Sequence, residues 1–212
     1  MLHLVSYLAT LGAPTWGDAP HYAVLIAGSS GYWNYRHQAD VCHAYHVLIN
    51  KGIPADHIIT LAVDDVASSS MNPFPNKLFN KPTPQGTPGT DVYANCKIDY
   101  SGDQVTPEIF QKVLMGDDSA GGPVLKSTSA DRVFVNFVDH GGVGIIGFPK
   151  TTMHAKDLIK TLQYMSDNAM YKELVFYMEA CESGSMFQEL PPGSRTEPPT
   201  AATGPEPGGG AA

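Results

Sequence analysis

Cysteine is scarce: Cys42, Cys96 and Cys181 are the only three in 212 residues, far apart and with no CxxC pair. This spacing suggests neither a disulfide framework nor a zinc ribbon, and the odd count leaves at least one thiol free. Positive charge is also in short supply, 13 Lys and Arg against 21 Asp and Glu, for a formal net charge of −8. Nucleic acids and anionic membrane surfaces select for clustered Lys and Arg, so neither is expected as a partner. No stretch approaches the roughly 18 apolar residues of a membrane span, and no Asn-x-Ser/Thr acceptor occurs. The apolar run Met1–Leu11 has no Lys or Arg before it and no clear small-x-small cleavage site after it, so residues 1–20 read as a weak or clipped signal-like segment.

What is present is a chain long enough for one domain with a substantial core, 42% of it apolar. Four apolar runs, Tyr22–Ala27, Ile58–Val63, Arg132–Val138 and Leu174–Met178, are rich in Val, Ile, Phe and Tyr and read as buried strands. Helix-period segments lie between them. Gln38–Lys51 is closed by Gly52 and Pro54, Pro107–Met115 has Thr106 as N-cap, and the third is Ala155–Met170. Strands alternating with helices predict an α/β fold with a parallel sheet and right-handed crossovers. The Pro- and Gly-rich stretch 72–90 reads as a loop over the sheet. Past Leu190 large apolar residues almost vanish, so 191–212 read as a disordered Pro/Gly/Ala-rich tail.

In open α/β sheets ligands bind beyond the carboxyl ends of the strands. Three of these ends are loaded with chemistry: GSSGYWNYRHQAD (28–40), Asp139-His140-Gly141-Gly142, and Glu179-Ala180-Cys181-Glu182-Ser183-Gly184-Ser185-Met186. A thiolate is a nucleophile, and a neighbouring imidazole can take the thiol proton and later return it to a leaving amine. Glycine after His140 leaves the Gly141 amide free to join that of Cys181 in stabilising an oxyanion. A buried thiol or a strand-end histidine taken alone is more often structural; the conjunction at neighbouring strand ends carries the catalytic reading.

Other patterns are set aside. Gly142-Val-Gly-Ile-Ile-Gly147 matches GxGxxG, but Pro149 follows and no helix opens inside the motif, which excludes a dinucleotide site. Cys42, His43 and His46 have ligand chemistry at helical spacing, yet packing in an amphipathic helix explains them, and no metal is expected. Asp64 and Asp65, past the second strand, read as a solvated turn rather than a cation site. Ser183 and Ser185 form no GxSxG elbow; their small size lets the turn after Cys181 pack tightly.

The segments AGSSGYWNYRHQADVCHAY (27–45), GTDVYANCKIDYSGDQVTP (89–107), VDHGG (138–142) and VFYMEACESGSMF (175–187) resemble those of the legumain family of asparaginyl endopeptidases, from about His21 to Leu190. The resemblance implies a caspase-like, mostly parallel sheet flanked by helices over residues 21–190. It implies a Cys/His dyad without cofactor and cleavage of protein and peptide substrates after Asn, more slowly after Asp at acid pH. By motif, Cys181 is the nucleophile, His140 the general acid/base and Asn34 the residue orienting it. Arg36, His37 and Glu179 match the pocket for the Asn side chain, and Asp139 matches an acidic residue tied to succinimide formation and ligation. An Arg and a Glu can bracket a carboxamide, which is both acceptor and donor. The implied compartment is vacuole or lysosome, with secretion as the alternative.

The family pattern continues past the nucleophile segment with a YATTAAN-like strand, further loops and a helical prodomain, whereas Pro191 onward resembles none of it. The fold is therefore expected to be incomplete on its C-terminal side. An uncovered strand edge and an open pocket make a C-terminally truncated, poorly active chain the expectation. A GPI transamidase-like subunit shares NYRH and a GHGG-like segment but not the EACESGSM pattern. An inactive pseudopeptidase is the other reading, against which the intact Cys181 and His140 argue.

Overall fold

The registers of the parallel strands put three chain reversals side by side. The structure, a computed structural model, describes residues 21–190 and 196–197; the signal-like segment 1–20 and the rest of 191–212 lie outside them. β1 (His21–Ala27), β2 (Ile58–Leu61), β3 (Arg132–Val138) and β7 (Glu173–Glu179) form a parallel sheet in the order β2-β1-β3-β7, with β8 (Thr196–Glu197) beside β7. Ala27 is in register with Val138, and Val138 with Glu179, so all three strands end on one row. The ladder runs one step further, Gly28 N–H donating to Val138 and Asp139 N–H to Glu179, each at 3.0 Å.

Both faces of the sheet are packed. α1 (Tyr35–Asn50) covers Ala23, Leu25, Ala27 and Ile58 with Val41 and Tyr45. On the other face α2 (Pro107–Met115) and α3 (Ala155–Asp167) bring Phe110, Leu114, Leu158, Leu162 and Met165 onto Val24, Ile26, Val135, Phe137 and Phe176. The α2 cap is as predicted: Thr106 accepts from Ile109 N–H at 3.2 Å behind Pro107 in the first turn, and Gly116 closes the helix at φ +71°. α1 begins three residues earlier than its sequence pattern, after a 3-10 turn over Tyr32–Asn34, and α3 ends three residues short of Met170. On β7, Val175 and Tyr177 are exposed.

Three features depart from the sequence expectation. The GxGxxG stretch belongs to a small antiparallel sheet of β4 (Gly141–Gly142), β5 (Ile145–Phe148) and β6 (Thr151–His154). Its first turn, Val143-Gly144, uses a glycine at φ +70°. Second, Cys42 and Cys96 form a disulfide. Each packs into the third buried cluster, with Val66, Leu78 and Val92, which the 72–90 loop closes over. Pairing partners 54 residues apart carries no local signal, so the reading of Cys42 as mere packing was incomplete. Third, the edge of β7 is not wholly bare, since Leu174 and Val175 pair with Thr196 and Glu197.

Candidate active site

The loop after β1 delivers Asn34. Asn34 is the N-cap of α1, but its side chain makes no capping bond. Its Nδ2 donates to the Ser30 carbonyl at 2.8 Å, which leaves Oδ1 facing His140 Nε2, also at 2.8 Å. An amide oxygen only accepts, so Nε2 carries the proton and Nδ1 of His140 is left with its lone pair.

The reversal after β3 delivers His140 and Gly141, and the one after β7 delivers Cys181. The last is free and exposed, as is His140. Gly141 lies directly against the Cys181 segment: a Cβ there would sit 2.6 Å from the Cys181 carbonyl oxygen and 3.0 Å from Ala180 Cβ. Glu182 follows in the left-handed region at φ +57°, turning the chain sharply after the thiol. Ser185 pins this loop to the β4–β5 turn, its Oγ accepting from Gly144 N–H at 2.8 Å and donating to the Glu182 carbonyl at 2.6 Å. Its predicted role in tight packing is thereby a specific pair of hydrogen bonds.

Behind His140 lies a buried polar layer. Asp139 is 6% exposed and wedged between two glycines; a Cβ at Gly28 or Gly147 would meet its Oδ2 at 2.8 or 2.6 Å. Burial pushes its carboxyl above the usual range, against the lowering pull of the His140 backbone N–H, His140 itself and Arg36. His37, 1% exposed, is hydrogen-bonded through Nδ1 to Ser29 Oγ at 2.7 Å, 3.5 Å from Asp139 Oδ1, and its ring meets His140 edge-on at 5.2 Å. The resemblance matched His37 to the substrate pocket; the structure buries its side chain against His140. Ligand atoms of His37, Asp139 and His140 lie within 4.8 Å of one another; Ser29 and Asn34 engage one nitrogen of each histidine. Arg36 and Glu179 are both exposed. Burial and the Asp40 charge raise the Glu179 carboxyl, and Arg36 lowers it. The charges of Arg36 and Asp40 are thus both felt at Glu179.

His37 has a consequence for stability. Burial first, then Arg36 and His140, hold its pKa at about 4 instead of 6.5. Between those values the unfolded chain binds a proton that the folded chain refuses. The His37 contribution is complete above about pH 6.5 and is lost as the pH falls toward 4, at most about 3 kcal/mol; the raised Asp139 carboxyl acts in the opposite sense. His37→Asn should therefore flatten the decline in unfolding free energy between pH 6.5 and 4.5, measured by urea titration. An unchanged slope would mean that His37 is protonated in the fold.

Sequence reasoning missed Ser29, Gln38 and Asp65. Asp65 is no solvated turn residue: Oδ2 accepts from Gly31 N–H and Oδ1 from Gln38 Nε2, both at 2.7 Å. Two acidic residues beyond a strand end, facing a Gly-Ser loop, were the available signal.

A free, exposed thiol on the loop after β7, with an imidazole held by a carboxamide on the loop after the neighbouring strand β3, suits the chemistry of a cysteine peptidase. The comparisons give that class a family. The model of the peptidase C13 family matches residues 21–210, and the chain belongs to that family. It is 53% identical over 175 residues to the hemoglobinase of Schistosoma japonicum, covering 82% of this chain and 40% of the relative. To the legumain of Rattus norvegicus it is 50% identical over 176 residues, covering 81% and 39%. To the vacuolar-processing enzyme beta-isozyme of Arabidopsis thaliana it is 46% identical over 181 residues, covering 83% and 36%. The chain thus spans about 40% of the length of the relatives it matches.

Proposed function

We propose that the site hydrolyses peptide bonds after asparagine, with Cys181 as nucleophile and His140 as general acid/base. The observation that carries this reading is the Asn34 Oδ1 to His140 Nε2 bond of 2.8 Å, because it fixes the tautomer that can accept a thiol proton. His140 Nδ1 takes that proton as sulfur attacks the carbonyl carbon. The Gly141 and Cys181 backbone N–H groups receive the developing oxyanion. Collapse breaks the C–N bond, and His140 returns its proton to the leaving amine. Water, deprotonated by the same nitrogen, then cleaves the thioester and restores the thiol. No metal or cofactor enters these steps.

Asparagine fits the charges at the pocket. Arg36 can donate to the carboxamide oxygen while Glu179 accepts from its nitrogen. An aspartate side chain presents the same pattern only when protonated, so Asp is cut more slowly and only in acid. His37 supports this pocket from below through His140 and Asp139. A vacuolar or lysosomal setting agrees with acid operation and with the plant relative's being named a vacuolar-processing enzyme.

The test is hydrolysis at about pH 5.5 of fluorogenic Ala-Ala-Asn, Ala-Ala-Asp and Ala-Ala-Gln peptides, with Cys181→Ala as blank. Slow turnover is expected, because the described residues supply only the Arg36 and Glu179 sides of the pocket, and Asn should exceed Gln by at least about tenfold. Equal rates on Asn and Gln would refute the specificity. A folded chain whose thiol reacts with alkylating reagents but which cuts no peptide would leave the pseudopeptidase reading standing.

A further inference from the structure

We propose that Asp65 is a positioning residue for His140, acting through the Ser30–Gly31 peptide group and Asn34. The two ends of that one peptide unit are both engaged. Its N–H, on Gly31, donates to Asp65 Oδ2 at 2.7 Å, and its C=O, on Ser30, accepts from Asn34 Nδ2 at 2.8 Å. Asn34 Oδ1 then accepts from His140 Nε2 at 2.8 Å. A carboxylate, a peptide group, a carboxamide and an imidazole are therefore joined in series, every link running donor to acceptor in the same direction.

Such a series does two things. Each bond polarises the next, so the charge on Asp65 makes Asn34 Oδ1 a stronger acceptor for the imidazolium that forms when His140 takes the thiol proton. It also prevents a flip. Gly31 stands at φ +84° with open space where a Cβ would be, so nothing in its own side chain opposes rotation of this peptide plane. Rotation would turn the Ser30 carbonyl away from Asn34. Asp65 opposes it, and is itself held by Gln38 Nε2 at 2.7 Å from α1. The Asn34 N–H to Gly31 carbonyl bond, 3.0 Å, closes the turn.

The proposal rests on the Cys181/His140 reading but is tested without a peptide substrate. Cys42 and Cys96 are joined, leaving Cys181 as the one thiol to report. The rate of its alkylation by iodoacetamide at pH 5.5 is measured in the 212-residue chain, in Asp65→Ala, in Asn34→Ala and in the double variant. At that pH an ordinary thiol is only about one part in a thousand thiolate, so reactivity depends on the imidazole. Asp65→Ala should lower the rate about tenfold in the parent chain and by less than about twofold once Asn34 is already alanine, the coupling expected of residues in one hydrogen-bonded network. Equal falls in both backgrounds would overturn the proposal, since a merely structural loss is additive. A parent rate no higher than that of the urea-unfolded chain would sink the dyad reading and this proposal with it. Should Asp65→Ala fail to fold by circular dichroism, Gln38→Met, which frees the Asp65 carboxylate from α1, replaces it, with a several-fold fall that likewise disappears in the Asn34→Ala background.

Discussion

Gly141→Ala is expected to silence peptide hydrolysis while leaving a thiol that still reacts with iodoacetamide at alkaline pH, where a thiol ionises without help from an imidazole. The reason is geometric. The added methyl would stand 2.6 Å from the Cys181 carbonyl oxygen, 3.0 Å from Ala180 Cβ and 3.2 Å from the Ile145 carbonyl oxygen, two of them backbone atoms with no rotamer to yield. The strand ends on either side are fixed by the Val138 and Glu179 register, and the Cys181 loop is tied to the hairpin by Ser185. Relief therefore has to come from moving the 141 amide away from the 181 segment, which separates the two N–H groups that the proposed mechanism assigns to the oxyanion. Loss of one such donor costs about 10²–10³ in kcat; displacing the sulfur from the imidazole by even about 1 Å costs a further factor of about 10². The control is Gly184→Ala, where no atom lies within 4 Å of the new methyl, and which should retain activity within a few-fold. Retained turnover in Gly141→Ala would mean that the oxyanion is held elsewhere.

The sheet was legible because buried parallel strands are written as continuous apolar runs, and the four found in the sequence are β1, β2, β3 and β7 of the parallel sheet, with β2 ending at Leu61 rather than Val63. The order β2-β1-β3-β7 has no signal in the runs themselves; it sets the loops that carry Asn34, His140 and Cys181 after the neighbouring strands β1, β3 and β7. The small hairpin sheet was hidden by its glycines, which mimic a phosphate loop. What the residues could not disclose is side-chain direction. Asn34 reads equally well as a helix cap, and only the diversion of its amide to Ser30 and His140 shows that the cap is forgone. His37 belongs to a motif matched to a pocket, yet helical geometry turns it inward, where burial keeps it neutral. Asp65 lies 31 residues after Asn34 in sequence (65 − 34 = 31), and no local pattern connects them.

Breaking the disulfide should have the largest effect on stability. Cys42→Ala/Cys96→Ala reopens a loop of 54 residues, for which chain entropy alone gives about 4 kcal/mol. Alanine fits both sites without burying a polar group, so the change isolates the cross-link. With a urea slope of about 2 kcal/mol per molar for a domain of this size, the midpoint should fall by about 2 M. The effect should spare the chemistry. The bond ties the second turn of α1 to the segment after Val92, whereas Asn34 and His140 are held by the first loop and the strand ends, so Cys181 alkylation without denaturant should stay within about twofold. A midpoint shift under about 0.5 M would show that the Val66, Leu78 and Val92 cluster holds the 72–90 loop unaided. The same bond bears on compartment. A structural disulfide forms along an oxidising secretory route and not in a reducing cytosol, and that route leads to vacuoles and lysosomes. Non-reducing peptide mapping of protein from its native source should therefore recover Cys42 and Cys96 in one linked fragment, with Cys181 as the sole alkylated cysteine; a chain carrying three alkylated thiols would place its synthesis outside that route.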